Sequence, residues 1–495
     1  MAIRDSDYAG SFTIPPPKGI WQADGDTNIS LQYACRAQNI RTGRGLIASA
    51  AGVSPAFPSL GAPIGTLTRF IRRTRPDDPE VYVAAAGGAL YTYTMGTEGW
   101  VRRAEGFACD AWSTVTYEAL SGGQTVDVLI LSNAEDGMAA LYGDDLRVER
   151  KTLAIGDSYA GVKFAQLGWY AERIWGVGAP GYPDSIFYSK PYSPFDWTGV
   201  PETPETGGGV INQPTWDGDS FLAVTGFGGY LLAIKQHTVF EIRGTDPSSF
   251  TVSEAYGTDG PIQARTVCVD RTSLFYLASG GIGLYDGASA RLLSRDALCQ
   301  TMSRLTGSAA QKATACVCDH VYYLALPVLD ENCGEAQENN AVIEYDAERG
   351  TFMLRTGLRV KDFFCAGAQV CFTQADAPYQ VMRFDEARAG SCAGEAMDCL
   401  WQTAWLDLGK AQRKRDFVLR FTAEADEQDM PLEITLQTDR REKTRTVLLS
   451  KTRRDYRVPV QVSGRRVRLT LRAHRRAAGF QITGGVQIDY TTDGE

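Results

Sequence analysis

Histidine is nearly missing, with three in 495 residues, and that leaves little material for a multi-histidine metal centre. No run approaches the roughly 18 consecutive apolar residues of a membrane-spanning helix, so no spanning segment is expected. The start, Met1-Ala-Ile-Arg-Asp-Ser-Asp7, has no apolar run behind a basic end and does not read as a secretory signal. Net positive charge is absent too: 50 Lys and Arg stand against 59 Asp and Glu, a net of −9, where a general nucleic-acid binder would be basic. Helical periodicity is hard to find. Nucleophile elbows and phosphate-cradling loops are missing; Gly280-Gly-Ile-Gly283 lies between two strand patterns with no following helix and reads as a hairpin turn. The repeated Asp-box of sialidases does not occur, since Ser193-Pro-Phe-Asp-Trp197 lacks its glycine and its spacing. A glycosidase needs two carboxylates facing one another across a sugar, and nothing in the sequence pairs two of the 59. These absences leave no catalytic residue to name, no cofactor and no resident metal, and the chain is not expected to be an enzyme.

What is present is glycine, 51 residues and well above the usual ~7%, which favours many turns over long helices. Hydrophobic residues at 44% and charged residues at 22% exclude wholesale disorder. The length allows two to four domains, or one repeat array plus a module. Eleven cysteines, an odd count spread along the chain, read as reduced small core residues of a protein made in cytosol, with Cys35, Cys268, Cys365 and Cys371 in apolar strand-like context.

Short runs of alternating or β-branched apolar residues recur, broken by Gly, Asp and Asn. Thr66-Leu-Thr-Arg-Phe-Ile-Arg72, Val81-Tyr-Val-Ala-Ala85, Ala89-Leu-Tyr-Thr-Tyr-Thr94 and Trp100-Val-Arg-Arg103 form a first unit of strands joined by hairpin-length turns. The second strand of each later unit falls near Val126, Ile174, Leu231, Leu274, Tyr322 and Cys371. Strands in fours every ~40–50 residues are the mark of a β-propeller. The expectation is an all-β chain with about seven blades over 61–387; six to eight would also fit. The seventh unit, Phe363 to Phe384, is short of a strand, and the ring needs one from the N-terminal segment, for example around Ile29 to Cys35. Residues 1–60 are expected to pack on the propeller as an extended segment, with 388–399 a small-residue linker. From 400 to 495 the strands mostly alternate apolar-in and polar-out, as in a β-sandwich. Charge divides at the same place: residues 401–495 hold 19 Lys/Arg against 13 Asp/Glu, a net of +6, and the remainder 31 against 46, a net of −15.

Three clusters invite a functional reading. Cys316, Cys318 and His320 share one face of a strand and could converge on zinc with Cys333 as fourth ligand; the plainer reading is inward cysteines and a turn-flanking histidine. Trp169, Tyr170, Trp175, Tyr188, Tyr192 and Trp197 could stack on sugars but suit a blade core better. Arg465, Arg466, Arg468, Arg472, Arg475 and Arg476 form a dense cationic patch, either a partner-docking surface or a solvated sheet face.

Asn39-Ile-Arg-Thr-Gly-Arg-Gly-Leu46 followed by Ala51-Gly-Val53 is similar to the opening of the tail and packaged-DNA stabilisation proteins of tailed bacteriophages. Ala171-Glu-Arg-Ile-Trp-Gly-Val177, Asp184-Ser-Ile-Phe-Tyr-Ser189 and Phe195-Asp-Trp197 resemble a blade of those proteins, and the run from Leu231 through Gly244, Gly257-Thr-Asp-Gly260 and Phe275 to Gly283 resembles their next stretch. Trp401-Gln-Thr-Ala-Trp-Leu-Asp-Leu-Gly409 resembles the start of their C-terminal sandwich. The resemblance, to tail-nozzle or tail-hub propellers, runs along most of the chain in the same order, without a long platform insertion. It implies a structural virion protein of the tail, made in the bacterial host cytoplasm. It implies a ring oligomer, six copies by analogy with nozzles, that contacts portal or adaptor and other tail proteins. DNA would pass through its channel without sequence-specific binding, past propeller carboxylates that repel phosphate. The alternatives are a carbohydrate-active or carbohydrate-binding propeller and a protein-binding scaffold propeller.

Overall fold

Glycine pairs and left-handed residues set the hairpins from which this fold is built. Gly87 and Gly88 (φ 58° and 74°) turn the chain between Val81–Ala86 and Ala89–Thr94, while Ala171 and Glu172 take the same left-handed region at φ 50° and 57° without glycine. Two successive positive φ values match the right-handed twist of antiparallel strands, so each hairpin closes in two residues. The computed structural model describes residues 8–23, 29–41, 45–121, 123–258, 262–305, 309–329, 338–385, 391–392, 395–475 and 478–492.

Seven four-stranded antiparallel blades follow one another along the chain. The first spans Ile64–Phe70 to Val101–Glu105 and the second Ser113–Ser121 to Val148–Lys151. The third spans Gln166–Tyr170 to Gly209–Asn212, the fourth Phe221–Phe227 to Thr251–Gly257, and the fifth Cys268–Asp270 to Ala290–Leu292. Each positional repeat read from the sequence falls on the second strand of its blade. The sixth and seventh blades share the long strand Thr351–Ala366, whose first part pairs with Asn339–Asp346 and whose second part pairs with Gln369–Gln374. The first strands of blades two, three and four lie side by side, as do those of blades five and six, and the inner stretch of blade seven packs on the first strand of blade one, bringing the last blade onto the first. Each sheet buries its faces on its neighbours: Phe70, Val83 and Leu90 of blade one meet Leu129 and Leu141 of blade two.

Blade seven is completed from the N-terminal segment, but not by Ile29 to Cys35. The closing strand is Gly52–Pro55, antiparallel to Val381–Asp385. Ile29 and Cys35 instead pack with Ala404 beside the sandwich. Nor does the segment 1–60 lie on the propeller as a single piece. Gly10–Ile14 and Leu46–Ser49 join Phe480–Thr492 in one sandwich sheet, and Arg36–Gln38 joins Glu395–Gln402 in the other. Apolar residues that recur along the segment find buried partners in both modules, and this outweighs packing on either alone. The stretch expected to link the modules also carries strands, Ser391–Cys392 and Glu395–Gln402, so the sandwich sheet begins before residue 400. Cys392 pairs with Val53 of the propeller and with Glu395, so strands cross from propeller to sandwich at this point.

The sandwich packs Arg454–Gly464, Lys414–Ala425 and Phe480–Thr492 against Glu442–Leu449, Met430–Thr438, Val467–Arg475 and Glu395–Gln402. Its core is continuous with that of blades five and six: one cluster runs from Leu277 and Tyr322 through Phe352, Ile20 and Ile40 to Leu432 and Leu471. No helix among the described residues is long and apolar enough to cross a membrane.

Candidate functional site

The arginine patch of the sequence is redistributed by the sheet that carries it. Arg465 and Arg466 are exposed in the turn before Val467–Arg475, whereas Arg468 and Arg472 stand on the outer sheet face. Arg468 lies over the Trp405 ring, 4.7 Å from its centroid. Arg472 makes a two-pronged contact to Asp398, 3.0 Å from Nε and 2.8 Å from Nη2, and this carboxylate raises the guanidinium pKa. The side chain of Arg475 and all of Arg476 lie outside the described residues. The four described arginines therefore do not form one exposed cluster.

Instead a cationic group forms at the end of the sandwich. Thr438 pairs with Val467, and Lys414 with Gly464, which brings the turns of Arg440–Arg441 and Arg465–Arg466 beside Arg413. The Asp439 carboxylate accepts from the Arg465 amide at 2.7 Å, and Arg413 donates to the Ser463 hydroxyl at 2.7 Å. Lys414 is fully buried beneath them, with its ammonium donating to the carbonyls of Lys410, Gln412 and Arg465 at 2.5, 3.2 and 2.8 Å. Burial lowers its pKa. The arginines at 413, 440 and 441 were not legible as members of this group, because only strand register brings the three turns together. Along Val467–Arg475 the opposite end pairs with Met397 near the propeller, so this basic tip points away from the acidic module.

The zinc reading fails on geometry. Cys318 is disulfide-bonded to Cys365 across blades six and seven, which also corrects the reading of Cys365 as a reduced core residue. Cys316 is buried in the core between those blades, where desolvation drives its thiol pKa far upward. His320 occupies a left-handed turn (φ 61°), and its Nδ1 faces Asp270 Oδ2 of blade five at 2.8 Å. The strand ends at Cys318, so the three side chains diverge: one into a disulfide, one into the core and one onto Asp270. Cys333 lies outside the described residues.

Of the blade-three aromatics, Trp175, Tyr188 and Trp197 are buried. Trp169 (48% exposed) and Tyr192 (61%) emerge on the face formed by the first-to-second and third-to-fourth strand turns. Gly280 belongs to the hairpin before Gly281–Tyr285, as the sequence suggested. A cleft of about 310 Å³ between blades six and seven contains Glu344 and Asp346, but Arg355 and Arg349 pair with them. At the propeller axis the inner strands bear Glu118, Asp270 and Asp362 as their carboxylates. Arg265 and Thr314 hold Asp362, each at 2.9 Å. Among the described inner strands, carboxylates are therefore few, and Asp362 among them is neutralised.

No protein-family model matches the chain, and comparison with curated proteins finds no match. Among solved structures, the Pan2 WD40 domain of Neurospora crassa is similar at 11% identity and a TM-score of 0.38, over 68% of this chain and 95% of that one. A chain of the mitotic checkpoint complex gives 9% identity and a TM-score of 0.35, over 67% and 96%. The extracellular domain of a one-component system from B. thetaiotaomicron gives 13% and 0.32, over 78% of this chain and 50% of that one. At these levels the likeness carries no functional argument. The blades and sandwich themselves define the fold: an all-β chain in which a β-propeller precedes a β-sandwich.

Proposed function

We propose that this chain is a structural, non-enzymatic subunit of a tailed-bacteriophage virion, a ring-forming component of the tail channel through which DNA is retained and ejected. The observation that carries the reading is the spatial division of charge. A propeller-bearing part of net −15 holds at its side a sandwich of net +6, and the arginine tip of that sandwich points away from it. Unlike charges at separated ends of one rigid subunit favour a head-to-tail contact between copies, and such a contact closes into a ring when the rotation permits. The ordered resemblance along the chain supports the same reading, with six copies and with portal or adaptor proteins as neighbours. In a ring, outward propeller carboxylates would face the lumen and repel DNA phosphate.

The test is native mass spectrometry and negative-stain microscopy of the full chain, alone and with portal and adaptor proteins, at low and at high salt. Rings that dissociate as salt rises, and that the quadruple reversal Arg440→Glu/Arg441→Glu/Arg465→Glu/Arg466→Glu prevents, are expected. A chain that stays monomeric in every mixture overturns the reading.

A further inference from the structure

The face opposite Trp169 and Tyr192 carries the second-to-third strand turns and the loops between blades. There the loop from blade three to blade four, Thr215-Trp-Asp-Gly-Asp-Ser220, crosses the blade-four turn at Gln236–His237. Gly218 is left-handed (φ 69°), and this reverses the chain so that Asp217 and Asp219 point the same way. The Asp219 Oδ2 accepts from the His237 amide at 2.7 Å and lies 3.3 Å from His237 Nδ1. One ligand atom from each of Asp217, Asp219 and His237 lies within 4.8 Å of the others.

Two features separate this group from an ordinary polar turn. The Asp219 side chain is only 3% exposed, and among the described residues no lysine or arginine pairs with it or with Asp217. The nearby buried cation, Lys235, is used elsewhere: its Nζ is 2.6 Å from Asp184 Oδ1 and 3.1 Å from the Thr215 hydroxyl. The two Asp219 oxygens accept backbone amides, Oδ1 from Ser220 at 2.9 Å and Oδ2 from His237, which fixes the carboxylate in place; buried carboxylates are normally paired with a cation or bound to metal as well. The distances also fit. Donors bound to one ion at about 2.1 Å stand about 3.0–3.4 Å apart at ordinary coordination angles, as Nδ1 and Oδ2 already do. Asp217 and His237 are exposed, which leaves an entry path and room for water ligands.

We infer that Asp217, Asp219 and His237 form a site for a borderline divalent cation of the zinc or nickel class. One imidazole nitrogen with two carboxylate oxygens suits such ions better than calcium or magnesium, which prefer all-oxygen shells. The ion would pin the interblade loop to blade four and fix the position of Trp216, which is 99% exposed.

Trp216 supplies the probe. The metal-stripped full chain is titrated with Ni²⁺ by calorimetry while tryptophan fluorescence is followed. One equivalent binds, and quenching saturates with it. Trp216→Phe removes the quenched component and keeps the calorimetric binding. His237→Gln and Asp217→Asn, both at exposed positions, each weaken binding about tenfold or more with unchanged circular dichroism. His320→Gln and His474→Gln bind as the parent does. Absence of saturable binding, or binding that neither His237→Gln nor Asp217→Asn weakens, overturns the site and leaves a plain histidine–aspartate contact.

Discussion

Arg173 illustrates how a residue with an apparent motif role can be wholly architectural. It is 1% exposed, and its guanidinium donates to the carbonyls of Ser189, Gly207 and Glu205 at 2.7, 2.5 and 2.6 Å. Among the described residues no carboxylate pairs with it; burial lowers its pKa. Its work is to satisfy the carbonyls of the long blade-three loop. Arg173→Met would strand those carbonyls, at an expected cost of about 3 kcal/mol, read as a lower urea midpoint at unchanged slope. Asp489 behaves differently. Burial alone would raise its pKa, but hydrogen bonds from Gln487, Arg420 and Ser11 outweigh burial and lower it. A carboxylate with a folded pKa below its unfolded value of about 3.9 gives stability that is complete above that value and is lost as pH falls through the folded one. Asp489→Asn should therefore destabilise the chain at pH 7 and flatten the acid limb of its stability profile, as followed by thermal melts from neutral to acid pH.

At the scale of strands, periodicity was legible wherever both faces of a strand are buried. Val81–Ala86, Tyr230–Lys235 and Ser273–Ala278 announce themselves because nearly every side chain is apolar. Other strands were not legible, and two of them show why. Gly52–Pro55 has four residues, begins with glycine and ends with proline, and only the vacant edge of Val381–Asp385 makes it a strand. Val53 is nonetheless buried in the blade-seven core. A charge there lacks a partner, so Val53→Asp should open the ring seam and cost several kcal/mol or about half the stability of an ordinary domain, seen as protease cleavage beside blade seven. The other, Glu442–Leu449, is an exposed edge strand. Its register sets Lys443 opposite Leu436 and Arg445 opposite Ile434, on the side of the sheet whose other strands are buried. Inward charges on an edge block pairing with another chain, and they also erase the alternation that reveals a strand in sequence. Lys443→Val/Arg445→Val should restore the alternation and make the chain aggregate on concentration, measured by light scattering.

Described strands among the first 55 residues enter both modules: Gly52–Pro55 completes blade seven, while Gly10–Ile14, Arg36–Gln38 and Leu46–Ser49 join the sandwich sheets. Module order and charge division could be read in advance, because each is a property of a contiguous stretch. The basic tip and the Asp217–Asp219–His237 group could not, because each joins turns that only strand register or blade packing brings together. The same long-range pairing governs how the modules communicate. Asn39, 1% exposed and left-handed at φ 52°, receives the Thr356 amide at 3.1 Å and donates to the Asp398 carbonyl at 2.8 Å, while its own amide donates to Leu354 at 2.9 Å. It thereby ties the outer strand of blade six to the first strand of the sandwich, within an apolar core common to both. Modules that share a buried core should unfold as one, so calorimetry of the full chain should give a single transition. Asn39→Ala removes the side-chain bonds to Thr356 and Asp398 and places a residue less tolerant of the left-handed region there, for a cost of about 2–3 kcal/mol. If the N-terminal segment is what couples the modules, that loss should appear as a transition that broadens or divides, with the sandwich melting apart from the propeller. A lowered but still single, sharp transition would place the coupling in the apolar core instead of the Asn39 bonds.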